Sequence, residues 1–140
     1  MRVMGLDVGA SRIGVAVSDA TGQLALPVGA VERGPREIDK LKELVREHAV
    51  DEVVVGFPLT LEGEVGPQAR EVAEYARVLK EKLGVPIKLW DERLSTIMVE
   101  KAMVSAGVKR RKRKRAVDKL AAAVILQGYL DARRAAKAGA

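Results

Sequence analysis

The first third of the chain alternates short apolar runs with turn-forming residues. Val3, Met4, Leu6 and Val8 make a first run, and Gly9-Ala10-Ser11-Arg12 follows as a turn signal. Ile13 to Asp19 is a second run, Ala20-Thr21-Gly22 a second turn, and Leu24 to Val31 a third run. Pro27, inside the third run, cannot donate to a β-ladder, which assigns that strand to a sheet edge. Three strands joined by short turns predict an antiparallel meander.

After Pro35 the period changes. Ile38, Leu41, Leu44 and Val45 recur at helical spacing. Val53-Val54-Val55 is apolar without alternation, the pattern of a strand buried on both faces. A polar, glycine-bearing loop runs from Pro58 to Gly66. Pro67 then opens a helix with Ala69, Val72, Ala73, Ala76 and Leu79 inward and Gly84 as its stop, and Pro86 to Trp90 reads as a fifth strand. A further helix is expected from an N-cap at Ser95 to Gly107, and a long final helix after the cationic run Lys109 to Arg115. Strands joined through a helix run parallel with right-handed crossovers, whereas the first three are antiparallel. The expected fold class is therefore α/β: a mixed five-stranded sheet flanked by helices, its first strand central, in one domain over residues 1–140. No internal repeat or interdomain linker interrupts it. In such sheets ligands gather at the carboxyl ends of the strands, where the connections change direction.

Composition narrows the chemistry. Aromatic residues are only 3% of the 140, which counts against a binder that stacks bases on a broad aromatic platform. There is no cysteine, hence no disulfide, zinc ribbon, thiol catalysis or iron–sulfur cluster, and the single His48 cannot make a histidine zinc site alone. The apolar start, Met1 to Val8, is broken by Arg2 and Asp7; it is too short and too charged for a signal peptide or a membrane span, so the cytoplasm is expected. A net charge of +6 points toward a polyanionic partner, and the distribution of charge matters more than its sum.

Three acidic positions are candidates for a site. Asp7 lies between Leu6 and Val8 in the central strand, where a charge is costly unless paired or bound to a metal. An Asp before a glycine turn can equally serve only its own backbone. Asp91 and Glu92 end the fifth strand, where solvation alone would account for them. Asp118 shares a helix face with Ala122, Ile125 and Tyr129, at the amino end of an apolar stripe, where the helix dipole by itself favours an anion. Oxygen ligands without His or Cys suit Mg²⁺ or Mn²⁺. Two such ions about 4 Å apart are the usual device for phosphodiester hydrolysis. The run Lys109, Arg110, Arg111, Lys112, Arg113, Lys114 and Arg115 reads by default as a solvated, mobile loop. Next to Asp118, it is also placed to hold a phosphate backbone without reading sequence.

These residues resemble a known family. Met4-Gly5-Leu6-Asp7-Val8-Gly9 with Arg12, Gly14, Ala16 and Ser18-Asp19 is similar to the first motif of the YqgF family, also called RuvX. Its bacterial members are described as Holliday-junction resolvases and pre-16S ribosomal RNA nucleases. Val55-Gly56-Phe57-Pro58, with Gly63 and Gly66-Pro67-Gln68-Ala69, resembles the second motif; Asp91-Glu92-Arg93-Leu94-Ser95-Thr96 resembles the third. Asp118-Lys119-Leu120-Ala121-Ala122, with Ile125-Leu126-Gln127 and Leu130-Asp131, resembles the last. The strand pattern does not choose between Asp91 and Glu92; the family motif and the longer reach favour Glu92.

The resemblance implies a ribonuclease H-like fold with catalytic, metal-holding carboxylates at Asp7, Glu92 and Asp118. Nucleic-acid contacts are expected from Arg12 and Arg93 in addition to the basic run. Junction resolvases with an acid at the end of the fourth strand differ from this chain, which has Gly56-Phe57-Pro58 there, so the second carboxylate is expected from the fifth strand. The expected activity is metal-dependent hydrolysis of phosphodiester bonds in maturing the 5′ end of pre-16S ribosomal RNA. The alternatives are resolution of branched DNA by a homodimer and non-catalytic binding to nucleic acid or the ribosome. No membrane partner is expected, and the chain is expected as a monomer or homodimer.

Overall fold

A computed structural model describes residues 1–93 and 104–139, and for residues 112–119 the helical backbone alone. The elements are β1 (Val3–Val8), β2 (Arg12–Ser18), β3 (Ala25–Glu32), α1 (Glu37–Glu47), β4 (Glu52–Phe57), α2 (Pro67–Leu83), β5 (Ile87–Asp91) and α3 (Arg110–Gly139). They form one five-stranded sheet in the order β3-β2-β1-β4-β5. The β1–β2 and β2–β3 pairs are antiparallel, and β1–β4 and β4–β5 are parallel. β1 is central and the proline-bearing β3 lies at an edge, as the hydrophobic pattern predicts. In β3 the register shifts between its pairings to Val15 and Ala16, leaving Val28 as the extra residue of a bulge beside Pro27.

Strand alternation divides the core into two layers. Met4, Leu6, Ile13, Val15, Val53 and Val55 point to one side, where Leu41 of α1 and Val72 and Leu79 of α2 cover them. Val3, Ala16 and Val54 point to the other, under Ala122, Ile125, Leu126 and Leu130 of α3. α2 starts with Pro67, whose fixed φ suits a first helical position, and ends at Gly84 in the left-handed conformation at φ 70°.

Glycines set how closely α3 approaches. A Cβ added at Gly5 would come 2.7 Å from Leu126 Cβ and 3.1 Å from the Ala122 carbonyl, so only glycine fits at this point. The helix is pinned farther along by Gln127, whose Oε1 accepts from the Ala25 N–H at 2.9 Å and whose Nε2 donates to the Gln23 carbonyl. Tyr129 donates its hydroxyl proton to the buried Glu52, which also pairs with Lys88 at 3.3 Å. Ala122 thus meets the β1–β2 region near Asp7, and Tyr129 meets the start of β4. α3 runs from the carboxyl edge of β1 toward its amino end.

Two expectations change. The helix begins at Arg110 and takes in nearly all of the basic run, which the charge pattern assigned to a loop. Lys and Arg are good helix formers, and a helix turns neighbouring charges away from one another around its axis. Asp118 consequently lies eight residues inside the helix, beyond the first turn where the dipole favours an anion. The helix expected from Ser95 lies outside the described residues up to position 103. Where description resumes, Gly107 has a φ of 76° and donates its N–H to the Val104 carbonyl at 3.0 Å, the stop expected there.

Candidate active site

β1 and β5 end at the same edge of the sheet. Within β1, Val3, Gly5 and Asp7 share the face toward α3, and Asp7 lies directly opposite Gly14 of β2. Gly14 leaves open the space beside it: a Cβ there would sit 3.6 Å from both Asp7 Cβ and Ala122 Cβ. In β5 the register pairs Gly56 with Trp90 and Phe57 with Asp91, so Glu92, one residue on, falls on the Trp90 side and Asp91 on the opposite side. A Cβ at Gly56 would collide with Glu92 Oε2 and come 2.5 Å from Ile125 Cδ1. The glycine at the end of β4 therefore makes the cavity that Glu92 occupies.

The electrostatics separate the two acids that strand pattern alone leaves equivalent. Burial, reinforced by the negative charges of Asp7 and Asp91, pushes the Glu92 carboxyl up to about 7. Asp91 is held below the ordinary carboxylate range by hydrogen bonds from the Arg93 side chain and backbone, against a smaller effect of burial. Arg93 grips it through Nη2 at 2.7 Å and Nε at 3.0 Å. Asp91 is thus matched to a cation within the chain. Glu92 is crowded by like charge, a situation that a divalent cation relieves.

The remaining expected residues fall as follows. Asp118 lies in α3 one turn before Ala122, the residue that packs over Gly5 and Gly14; its side chain is outside those described. Among the described residues no three Asp, Glu, His or Cys side chains converge as a metal cage. Arg12 is exposed at the start of β2, and Lys109, Arg110 and Arg111 are exposed around the start of α3; the side chains of Lys112, Arg113, Lys114 and Arg115 are outside those described. Arg93 is committed to Asp91 and to the loop after β4.

Sequence patterning passed over a second arginine brace. Arg33 donates from Nη1 to the Gly9 carbonyl at 2.8 Å, pairs with Glu37 at 3.1 Å and lies 4.9 Å from the centre of the Tyr75 ring. The Tyr75 hydroxyl also donates to Glu37, which lies below the usual carboxylate range because these bonds and one from the Gly34 N–H outweigh its burial. This brace fixes the turn that follows Asp7.

A family model described as "RuvX: Holliday junction resolvase" matches residues 1–132. The chain belongs to the RuvX family. Relatives named "Putative pre-16S rRNA nuclease" include one from Desulfitobacterium hafniense (strain DSM 10664 / DCB-2), 48% identical over 131 residues that span 94% of this chain and 92% of that protein. Another, from Geobacillus sp. (strain WCH70), is 45% identical over 138 residues, 96% of this chain and all of the relative. In backbone this family member is similar to Thermus thermophilus RuvC in complex with Holliday junction substrate, at a TM-score of 0.57 and 20% identity, covering 96% of each chain. It is also similar to the fowlpox virus Holliday junction resolvase, at 0.51 and 11% identity over 94% of this chain and 99% of the other. These likenesses give the fold, which is ribonuclease H-like.

Proposed function

We propose that this chain is a metal-dependent nuclease that hydrolyses phosphodiester bonds in processing the 5′ end of pre-16S ribosomal RNA in the cytoplasm. The observation that carries the reading is the placement of Asp7 and Glu92 on one face at the carboxyl edge of the sheet. Glu92 is crowded there by two other acids in a cavity made by Gly56. An all-oxygen pair in this electrostatic setting fits Mg²⁺ or Mn²⁺. Asp7 and Glu92, with Asp118 as the third carboxylate, would hold the cation. Once bound, it supplies Lewis acidity at the phosphate and a water of lowered pKa.

The chain's own residues do the rest. Gly56 makes room for the Glu92 carboxylate, and Gly14 keeps a side chain from crowding Asp7 beneath Ala122 of α3. The Arg33 brace holds the turn that leads into Arg12 at the start of β2, where it is exposed to meet a phosphate next to the scissile one. Lys109 through Arg115 supply further backbone contacts that position the nucleic acid without reading bases. The substrate assignment rests on the names of relatives at 45–48% identity over nearly the whole chain.

The family description favours a second reading, cleavage of four-way DNA junctions. One assay separates them: a ribosomal RNA precursor, a single-stranded RNA and a four-way DNA junction, each with Mg²⁺, Mn²⁺ or a chelator. Preferred cut of the precursor, lost in chelator, is expected. Preferred junction cleavage would favour the second reading. Binding without cleavage on every substrate, or cleavage undiminished in chelator, would overturn the metal-nuclease proposal.

A further inference from the structure

Arg93 sits beside the acids at the carboxyl edge, and a cation there is naturally read as a phosphate ligand. Its contacts indicate a different task. Three of its N–H groups go to Asp91: the backbone N–H at 3.1 Å, Nε at 3.0 Å and Nη2 at 2.7 Å. The remaining corner, Nη1, turns toward the loop after β4 and lies 3.5 Å from the carbonyls of Thr60 and Leu61.

The loop is shaped to receive it. Gly63 has a φ of 84°, and a Cβ there would come 3.1 Å from Nη1 and 3.8 Å from Cζ, so the guanidinium lies against bare backbone. Among the described residues, the loop's other hydrogen bonds are mainly its own. Thr60 donates its N–H to the Glu64 carbonyl, Gly63 donates to the Thr60 carbonyl, and Glu64 donates to Thr60 Oγ1. Leu61 at its tip is 82% exposed, so apolar packing does not anchor the tip.

We propose that Arg93 is a positioning residue, a clasp that fastens the loop of residues 58–66 to the end of β5 and thereby fixes the direction in which Glu92 leaves the strand. The proposal rests on the nuclease reading above for its effect on turnover, though not for the clasp itself. Glu92 lies between the two residues of the bidentate pair, so the Asp91–Arg93 grip closes a tight ring around it. On its other side, the loop continues from the strand whose Gly56 makes room for Glu92. Loosening the clasp releases both walls together.

The test uses Arg93→Gln, Arg93→Lys and Asp91→Asn in the full chain, with two readouts. The first is the rate at which a Glu-specific protease cuts at Glu62 and Glu64 in the folded protein, followed by mass. The second is kcat, KM and salt dependence on whichever substrate the unaltered protein cleaves. If Arg93 is a clasp, all three variants open the loop to protease by about tenfold or more. Each also lowers kcat by up to about 100-fold, the scale of a 1 Å misplacement, with KM and salt slope kept. Arg93→Lys does not rescue, because an ammonium lacks the planar fork.

If Arg93 is a phosphate ligand instead, Arg93→Gln raises KM and flattens the log–log salt slope by about 0.7 to 0.9, Arg93→Lys largely restores both, and Asp91→Asn, by releasing the guanidinium, tightens binding. That pattern, or unchanged proteolysis in Asp91→Asn, overturns the proposal. Asp91→Asn keeps the side-chain shape and guards against a folding failure of the Arg93 variants. A protein that cuts no nucleic acid would defeat the nuclease reading, while the protease result would still decide on the clasp.

Discussion

On the face covered by α1 and α2, the sheet presents Met4, Leu6, Ile13, Val15, Val53 and Val55, all buried among large apolar neighbours. On the face covered by α3, the positions between them hold Val3, Gly5, Asp7, Gly14, Ala16, Val54 and Gly56. The first face is filled for cohesion. The second is thinned, so that a helix lies almost on the backbone and two acids share one rim. Stability and chemistry are thus assigned to opposite sides of the same strands, and a residue's face tells what its loss will do.

The largest expected effect tests that division directly. Asp7→Asn should lower cleavage by more than the ~100-fold typical of losing a mere supporting contact to a metal ligand, while leaving the thermal midpoint unchanged or raised. Leu41→Ala, on the other face, should cost about 2 to 5 kcal/mol of stability and leave the activity of the folded fraction intact. Denaturant unfolding and a cleavage assay on both variants check it; equal loss of activity in both would erase the distinction.

Gly56→Ala comes next. The added methyl must displace Glu92 and Ile125, so activity should fall about tenfold to 100-fold and stability by about 1 to 3 kcal/mol. It is the one substitution expected to damage both properties. A variant that keeps full activity would show that Glu92 need not occupy that space.

The Glu92 carboxyl gives a pH signature. Its folded pKa of about 7 lies above the model-compound value of 4.5, so between these limits the folded state binds the extra proton. Stability without metal should therefore fall as pH rises from about 4.5 to 7 and level off above, as far as this group contributes. Glu92→Gln removes that component and should raise the metal-free thermal midpoint at pH 7.5 by a few degrees, roughly 2 to 6 °C. Saturating Mg²⁺ should shrink the difference by stabilising only the unaltered protein. Thermal melts at pH 5 and 7.5 with and without Mg²⁺ read both effects.

The smallest effect concerns the basic helix start. Replacing Lys109 to Arg115 by Gln keeps helix propensity and removes charge. With about half the run engaged, the log–log salt slope of binding should flatten by about 2 to 3 units with no change in sequence preference. An unchanged slope would move the phosphate-binding surface elsewhere.

The fold was legible wherever local pattern and global role coincide. The apolar β1, the edge-marking Pro27, the Val53–Val55 run and the stop at Gly84 carry their meaning in a few residues. The site was legible only in part, because its geometry depends on register. Asp91 and Glu92 look alike until pairing with Phe57 and Gly56 assigns them to opposite faces. Gly5 and Gly56 read as motif residues, and their purpose appears only once α3 lies against them. The charge pattern of the basic run predicts a loop, and the helix propensity of Lys and Arg carries it into α3 instead. Arg33, Glu37 and Tyr75 come from three separate segments with no periodicity to link them.

The length of α3 has one more consequence. Its first exposed cations, Arg110 and Arg111, precede Ala122 by 12 and 11 residues, about 18 and 16 Å along the axis at the usual rise of 1.5 Å per residue. The screening length at physiological ionic strength is about 8 Å. Opposite charges set two such lengths apart scarcely feel one another through solvent. The first cations of the helix can gather a polyanion without weakening the pull of Asp7 and Glu92 on small cations, whereas Arg115, seven residues before Ala122 and about 10 Å away along the axis, is near enough for the two fields to meet.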